Sequence, residues 1–278
     1  MRSLLFAPAT RPELVAKLGR AGPDAAVVDL EDAVPAAHKA AARGTAREAA
    51  RALAADHPDL RVYVRVNAPG SGLLADDVRE AVTPGLAGVV VPKAESAEQL
   101  AAVRELLGAA HGEGLGIVAG VETARGVADV DDLLDPDLHA VYFGAEDFAA
   151  DVGARRTAAG HEVLYARSRV VLAARLAGVP ALDQAVVAIR DDEAFREDAQ
   201  RGRELGYRGK LCVHPAQVAL AHEAFSPTEA EVDLARRVLS AWEETAATGA
   251  GALEVDGVMV DEPALRFARA TLAAAGAG

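Results

Sequence analysis

A single cysteine, Cys212, leaves no intrachain disulfide and no cysteine-built zinc site to consider. A chain so poor in thiols is expected in a reducing, cytoplasmic setting. Cys212 stands in the apolar run Lys210-Leu211-Cys212-Val213 and reads as core packing, not as a nucleophile. Long apolar runs are missing too: none approaches the roughly 18–20 residues that cross a bilayer. The opening Met1-Arg2-Ser3-Leu4-Leu5-Phe6-Ala7-Pro8 is interrupted early by Pro8 and Arg11, so it reads as a first strand rather than a secretion signal. Basic residues fall short of acidic ones, 29 against 42, for a formal charge of −13. That field repels nucleic acid and anionic lipid, so neither nucleic acid nor membrane is an expected partner, although a local cationic pocket could still take an anionic substrate. No G-x-G-x-x-G follows the first strand, which counts against an open dinucleotide-binding sheet.

The chain does have the material for one large core. Its 278 residues are 51% hydrophobic and 26% charged, close to the size of one (β/α)8 barrel, about 250 residues. Short β-rich runs alternate with longer helical stretches. The predicted strands are Ser3–Ala9, Ala25–Asp32, Arg61–Asn67, Gly88–Ala94, Gly116–Glu122, Ala140–Asp147, Ala181–Ile189 and Gly209–His214. Runs such as Gly88-Val89-Val90-Val91-Pro92 are apolar throughout and suit parallel strands buried on both faces. Between strands four and five, Ser96 is a predicted N-cap, and Leu100, Val103 and Leu107 are spaced to share one helix face. The expected class is therefore α/β: a (β/α)8 TIM barrel over residues 1–225 with a C-terminal helical extension over 226–278. Within that extension Pro227–Thr248 reads as a helix and the Gly/Ala-rich Gly249–Gly257 as a mobile connection. The segment Phe148–Gly160 reads as a long loop where chemistry would sit.

In a barrel, function collects at the C-terminal strand ends, and here those ends carry an unusual set of polar residues. They read Asp29-Leu30-Glu31-Asp32, Arg65-Val66-Asn67, Pro92-Lys93-Ala94-Glu95, Glu122-Thr123-Ala124-Arg125, Gly144-Ala145-Glu146-Asp147 and His214-Pro215. Carboxylates aimed at one mouth repel each other unless a cation joins them. Oxygen ligands alone favour a hard ion such as Mg²⁺, which takes one or two protein carboxylates and leaves its other positions to water and substrate. Glu122 and Asp147 fit that need; each acid taken singly could instead cap the helix that follows it. Arg65 is either a structural ion-pair partner of a strand-two acid or a donor fork for an enolate or carboxylate. Lys93 is expected to pair with acids such as Glu31 and Asp32; the alternative, a Schiff-base nucleophile, would leave the acidic cluster without a purpose. His214 reads as mainly structural.

Eight segments, in order from end to end, resemble the citrate lyase β-subunit-like (CitE-like) CoA-ester lyases of the HpcH/HpaI aldolase family. They are Arg2–Pro8, Asp29–Val34, Arg65–Asn67, Val91–Glu95, Val121–Gly126, Phe143–Asp147, Lys210–Pro215 and Gly257–Asp261. The resemblance implies Mg²⁺ on Glu122 and Asp147, with Mn²⁺ able to substitute, and an enolate oxygen steadied by Arg65. It implies contacts from Phe6, Arg11 and Lys17 to CoA, and an acid/base role for Asp261 in a neighbouring subunit's site within a homotrimer or homohexamer. The reaction implied is cleavage, or condensation in reverse, of a 3-hydroxyacyl-CoA such as malyl-, citramalyl- or citryl-CoA into a 2-oxo acid and an acyl-CoA. Two enzyme alternatives stay open: the β subunit of a citrate lyase complex acting on an acyl-carrier thioester, and a CoA-independent metal-dependent 2-oxo acid aldolase. A silent barrel serving as an assembly scaffold would leave Arg65, Glu122, Asp147 and Asp261 without a common purpose.

Overall fold

The structure, a computed structural model, describes residues 1–245 and 251–276 and contains two compact units, Met1–Phe225 and Ser226–Gly278. In the first, eight parallel strands close in chain order: β1 (Ser3–Pro8), β2 (Ala25–Asp29), β3 (Arg61–Arg65), β4 (Gly88–Val91), β5 (Gly116–Val121), β6 (Ala140–Phe143), β7 (Ala181–Asp183) and β8 (Gly209–Cys212). β8 pairs back onto β1, Leu211 opposite Leu4, so the sheet has no free edge. The helices of this unit are α1 (Pro12–Val15), α2 (Lys39–Asp56), α3 (Leu74–Ala81), α4 (Ala97–His111), α5 (Ala124–Ala128), α6 (Val130–Leu133), α7 (Ala145–Asp151), α8 (His161–Ala177), α9 (Asp192–Leu205) and α10 (Ala216–Phe225). The expected barrel is thus observed, and the open sheet is not. Ser96 caps α4 as expected, its Oγ accepting from the Gln99 N–H at 3.3 Å. Cys212 is fully buried, and burial pushes its thiol up to about 12, as core packing requires.

The period-two alternation of a strand decides what faces the barrel axis. Leu4, Val27, Tyr63, Val90, Val118, Tyr142, Leu182 and Leu211 fill the interior. Their neighbours Leu5, Val28, Val62, Val89 and Val141 face the helices and join a larger core. One step further along the interior register the strands deliver Phe6, Asp29, Arg65 and Gly144 to the mouth, and two steps beyond Val118 they deliver Glu122. Small residues make room for large ones: a Cβ at Gly120 would lie 2.3 Å from the Tyr142 hydroxyl.

Strand ends are where expectation and structure part. Strand six, read through Asp147, stops at Phe143, and Ala145–Asp151 is the helix α7 with Glu146 and Asp147 in its first turn. Acids there are favoured by the exposed N–H groups and the dipole of a helix start. The expected loop Phe148–Gly160 therefore begins inside α7. Strand seven, read through Ile189, stops at Asp183, where the side chains leave the sheet for a polar network behind it.

The second unit has its own core of Ala235, Val238, Val255, Val260, Leu265 and Ala268. It comprises α11 (Glu229–Thr245), β9 (Leu253–Val255), β10 (Val258–Val260) and α12 (Glu262–Gly276). Reciprocal bonds between Thr228 and Glu231 start α11 as a capping box. Of the connection Gly249–Gly257, Gly249 and Ala250 lie outside the described residues, as do residues 246–248 at the end of the predicted helix. The rest is not a loose linker: β9 and β10 pair antiparallel around Asp256-Gly257, whose φ values of 51° and 79° suit a two-residue type I′ turn. Among the described residues no helix is long and apolar enough to cross a membrane.

Candidate active site

A cavity of about 440 Å³ opens at the C-terminal mouth of the barrel, lined by Phe6, Asp29, Asp32, Arg65, Glu122, Tyr142, Glu146 and Asp147 among others. Arg65 closes one side. Its Nε and Nη2 donate to the two oxygens of Asp29 at 2.7 and 2.6 Å, a bidentate pair across adjacent strands. Its Nη1 lies 3.1 Å from Glu31 Oε2, yet that oxygen is buried without a hydrogen bond, so the contact is a charge pair out of alignment. The Phe6 ring stacks 5.3 Å from the guanidinium centre. The expected ion pair with a strand-two acid is thus observed, and Arg65 also lines the cavity.

Glu122 stands one residue beyond β5 and is 2% exposed. Its Oε1 accepts from the Lys93 backbone N–H at 2.8 Å and from the Tyr142 hydroxyl at 3.2 Å. Gly144 admits it, since a Cβ there would lie 2.2 Å from Oε2. Burial raises the carboxyl to about 7; Arg65 opposes the shift, and the charge of Asp147 adds to it. Two hard oxygen donors whose charges repel in a common cavity, one of them starved of water, are a donor set suited to a divalent cation. Among the described residues no three His, Cys, Asp or Glu side chains form a ready-made cage. Glu122 and Asp147 as a pair match the low protein-ligand count that Mg²⁺ tolerates.

Lys93 takes a left-handed φ of 50°, which turns its N–H toward Glu122. Its ammonium lies 2.5 Å from Glu31 Oε1, 3.4 Å from Asp147 and 3.5 Å from Asp32. Burial alone would lower its pKa, but Glu31, Asp147 and Asp32 raise it well above the lysine range. Its three carboxylate neighbours match the ion-pair expectation and favour the protonated amine over the neutral one that a Schiff base needs. Burial also raises Glu31, against the pull of Arg65 and Lys93. Lys39 braces this corner from behind, donating to the Leu30 and Glu31 carbonyls at 3.0 and 2.9 Å and to Asn67 Oδ1.

Other expected residues are not in the cavity wall. Arg11 is exposed and pairs with Glu13, and Lys17 is exposed before the short turn Leu18–Ala21. Asp261 belongs to the second unit, where its Oδ1 accepts from the Ala264 N–H at 3.3 Å and caps α12. His214 accepts from the Ala216 N–H at 3.3 Å, the structural role expected of it. Sequence reasoning passed over Asp29 in favour of its neighbours and missed Tyr142 altogether. The period-two register could have found both, because each shares the inward parity of an interior residue two positions before it.

Comparison with known proteins gives the family and the fold. The sequence profile of the family described as HpcH/HpaI aldolase/citrate lyase matches residues 2–215. A citrate lyase subunit beta-like protein of Deinococcus radiodurans is 53% identical over 275 residues, covering 98% of this chain and 96% of that protein. A (3S)-malyl-CoA thioesterase of Cereibacter sphaeroides is 32% identical over 275 residues, covering 99% of this chain and 94% of that protein. Among solved structures, CitE from Mycobacterium tuberculosis, in complex with magnesium, acetoacetate and coenzyme A, aligns with a TM-score of 0.82 at 33% identity over 99% of this chain and 98% of that one.

Proposed function

The chain belongs to the HpcH/HpaI aldolase/citrate lyase family and is a carbon–carbon lyase, and from that premise we propose that it cleaves a 3-hydroxyacyl-CoA of the malyl, citramalyl or citryl type into a 2-oxo acid and an acyl-CoA. The observation that carries this reading is the pairing, in one cavity, of the buried Glu122 and Asp147 with an Arg65 locked by Asp29. Mg²⁺, or Mn²⁺ in its place, would be held by Glu122 and Asp147 and would supply Lewis-acid stabilisation to the substrate's carboxylate and neighbouring oxygen. The magnesium and coenzyme A of the CitE complex support this assignment.

The chain's own groups do the rest. The Lys93 N–H and the Tyr142 hydroxyl fix the orientation of Glu122 and favour its charged form. In cleavage, Asp261 of a neighbouring subunit is assigned to take the substrate hydroxyl proton; the oxygen's electrons form the carbonyl of the 2-oxo acid as the C–C bond breaks, and the electron pair of that bond passes to the carbon next to the thioester carbonyl, giving its enolate. The negative charge that develops on the thioester oxygen is assigned to Arg65, whose geometry is set before substrate arrives, so little reorganisation is needed. Phe6 covers one face of that guanidinium and keeps water from it. Phe6, Arg11 and Lys17 are assigned to the CoA portion, where exposed basic side chains meet phosphate. Asp261 from a neighbouring subunit of a homotrimer or homohexamer is assigned to protonate the enolate carbon.

The name of the Cereibacter relative favours a second reading, hydrolysis of the thioester. One assay separates the two. Purified protein with Mg²⁺ is offered malyl-, citramalyl- and citryl-CoA, and both 2-oxo acid and free thiol are measured. We expect a 2-oxo acid in step with substrate loss and no free thiol. Thiol without oxo acid would replace cleavage by hydrolysis, and neither product from any thioester would overturn the proposal.

A further inference from the structure

Asp147 does not stand on a strand. It sits in the first turn of α7, a helix of 7 residues, too short to hold a fixed orientation by itself. Where its carboxylate points therefore depends on what anchors α7. Asp151 follows one helical turn later and shares the face of Asp147. Its Oδ2 accepts from the Ala124 N–H at 2.7 Å, and Ala124 lies two residues beyond Glu122. The receiving segment is itself anchored: Thr123 Oγ1 accepts from the Gly126 N–H at 3.0 Å and donates to Glu95 Oε1 at 2.8 Å. On the adjoining face of α7, Arg156 donates to Glu146 Oε1 at 2.9 Å and to Glu162 Oε1 at 2.6 Å. Asp147 is thus bracketed by two ties, a local one through Arg156 and a long-range one through Asp151 that runs directly to the backbone carrying Glu122.

We propose that Asp151 is a positioning residue that sets the separation of Glu122 and Asp147 by fastening α7 to the start of α5. The inference rests on the reading of Glu122 and Asp147 as the metal pair. A cap for α5 is not its main purpose, because Thr123 already caps that helix. The bond acts at one remove from the metal, as do the outer hydrogen bonds that orient ligands in metal sites generally.

The probe is Mn²⁺, titrated into the full chain and followed by the free-ion EPR signal, with circular dichroism to check folding. Asp147→Asn should abolish binding. Asp151→Ala should weaken it on the order of tenfold, while Asp151→Asn, which keeps an acceptor oxygen in place, should lose much less. Ala124→Pro removes the donor instead. Ala124 is the first residue of α5, where proline is tolerated, and Thr123 before it is already extended, at φ −127° and ψ 158°. This variant should match Asp151→Ala, and the double variant should bind no more weakly than either single one. It also carries the test if Asp151→Ala fails to fold. In turnover, the Mg²⁺ requirement of Asp151→Ala should rise by the same factor, with kcat recovered at saturating Mg²⁺. Wild-type Mn²⁺ affinity in both Asp151→Ala and Ala124→Pro, in a protein whose binding Asp147→Asn abolishes, would overturn this inference alone. Mn²⁺ binding indifferent to Asp147→Asn would overturn the metal-pair reading and this inference with it.

Discussion

Glu122 has its carboxyl raised to about 7 by burial, with Arg65 opposing and Asp147 reinforcing the shift. In the unfolded chain the same group returns to 4.5. Between those two values the native state binds more protons than the unfolded one, so stability falls as pH rises. Below about 4.5 both states are protonated and the contribution vanishes; above about 7 it is a constant loss, at most about 3 kcal/mol from a shift of this size. We expect chelator-treated protein to lose thermal stability from about pH 4.5 to pH 7, and Glu122→Gln to flatten that limb of the curve. Mg²⁺ competes with the proton for the same oxygens, so at pH 8 it should restore stability to the wild type and not to Glu122→Gln. Parallel melting curves of the two metal-free proteins across this range would remove Glu122 as the source. The inward parity that turns Glu122 to the barrel interior is legible in the sequence; its pKa is not, because burial by Tyr142 and Gly144 comes from β6 and its end and burial by Arg65 from β3.

At the scale of elements, β7 and β8 are joined to α8 and α9 by charges behind the barrel wall. Asp183, fully buried, accepts from Arg167 Nε at 2.8 Å and Nη2 at 2.5 Å and from Lys210 Nζ at 3.0 Å. Gly202 in α9 lets this happen, since a Cβ there would lie 2.3 Å from Asp183 Oδ2. Removing one partner of a buried pair leaves the others uncompensated, at about 3–5 kcal/mol. Asp183→Ala should lose that much in urea unfolding while its Mn²⁺ affinity stays put, because Asp183 faces away from the cavity. Loss of metal binding with unchanged stability would reverse the assignment. None of this network was read from the sequence: Lys210 opens an apolar run, and only the tertiary fold brings Asp183, Asp198 and Arg167 to it. Continuous apolar runs such as Val89–Val91, by contrast, announced their strands, and Ser96 announced its helix. Strand six was overread because Glu146 and Asp147 continue an extended pattern and equally suit a helix start, and Gly144 marks the change. The Asp256-Gly257 hairpin has a strong local signal in Asp-Gly between alternating apolar residues, masked by the Gly/Ala composition before it.

The whole molecule poses the question of which chain completes which site. The barrel brings Arg65, Glu122 and Asp147 together without help, whereas Asp261 sits in a separately cored unit as the cap of α12. The assignment of Asp261 to a neighbouring subunit makes a demand that no single-chain site makes: two defective chains should repair each other. Asp261→Asn keeps an intact barrel and lacks the acid; Glu122→Gln lacks a metal ligand and keeps the acid. Each alone should be nearly inactive, Asp261→Asn with normal Mn²⁺ affinity and Glu122→Gln without it. In mixed oligomers, a barrel from the first chain can meet Asp261 from the second, and that site is whole. Co-expressed or mixed and reassembled variants should therefore cleave substrate well above the sum of the separate preparations, and more so as the ratio approaches equal parts. Within a single chain the same mixture contains no complete site at any ratio. No gain on mixing, with exchange of subunits verified by mass, would assign Asp261 to its own chain or remove it from the reaction, and near-normal turnover in Asp261→Asn would leave it only as the cap of α12.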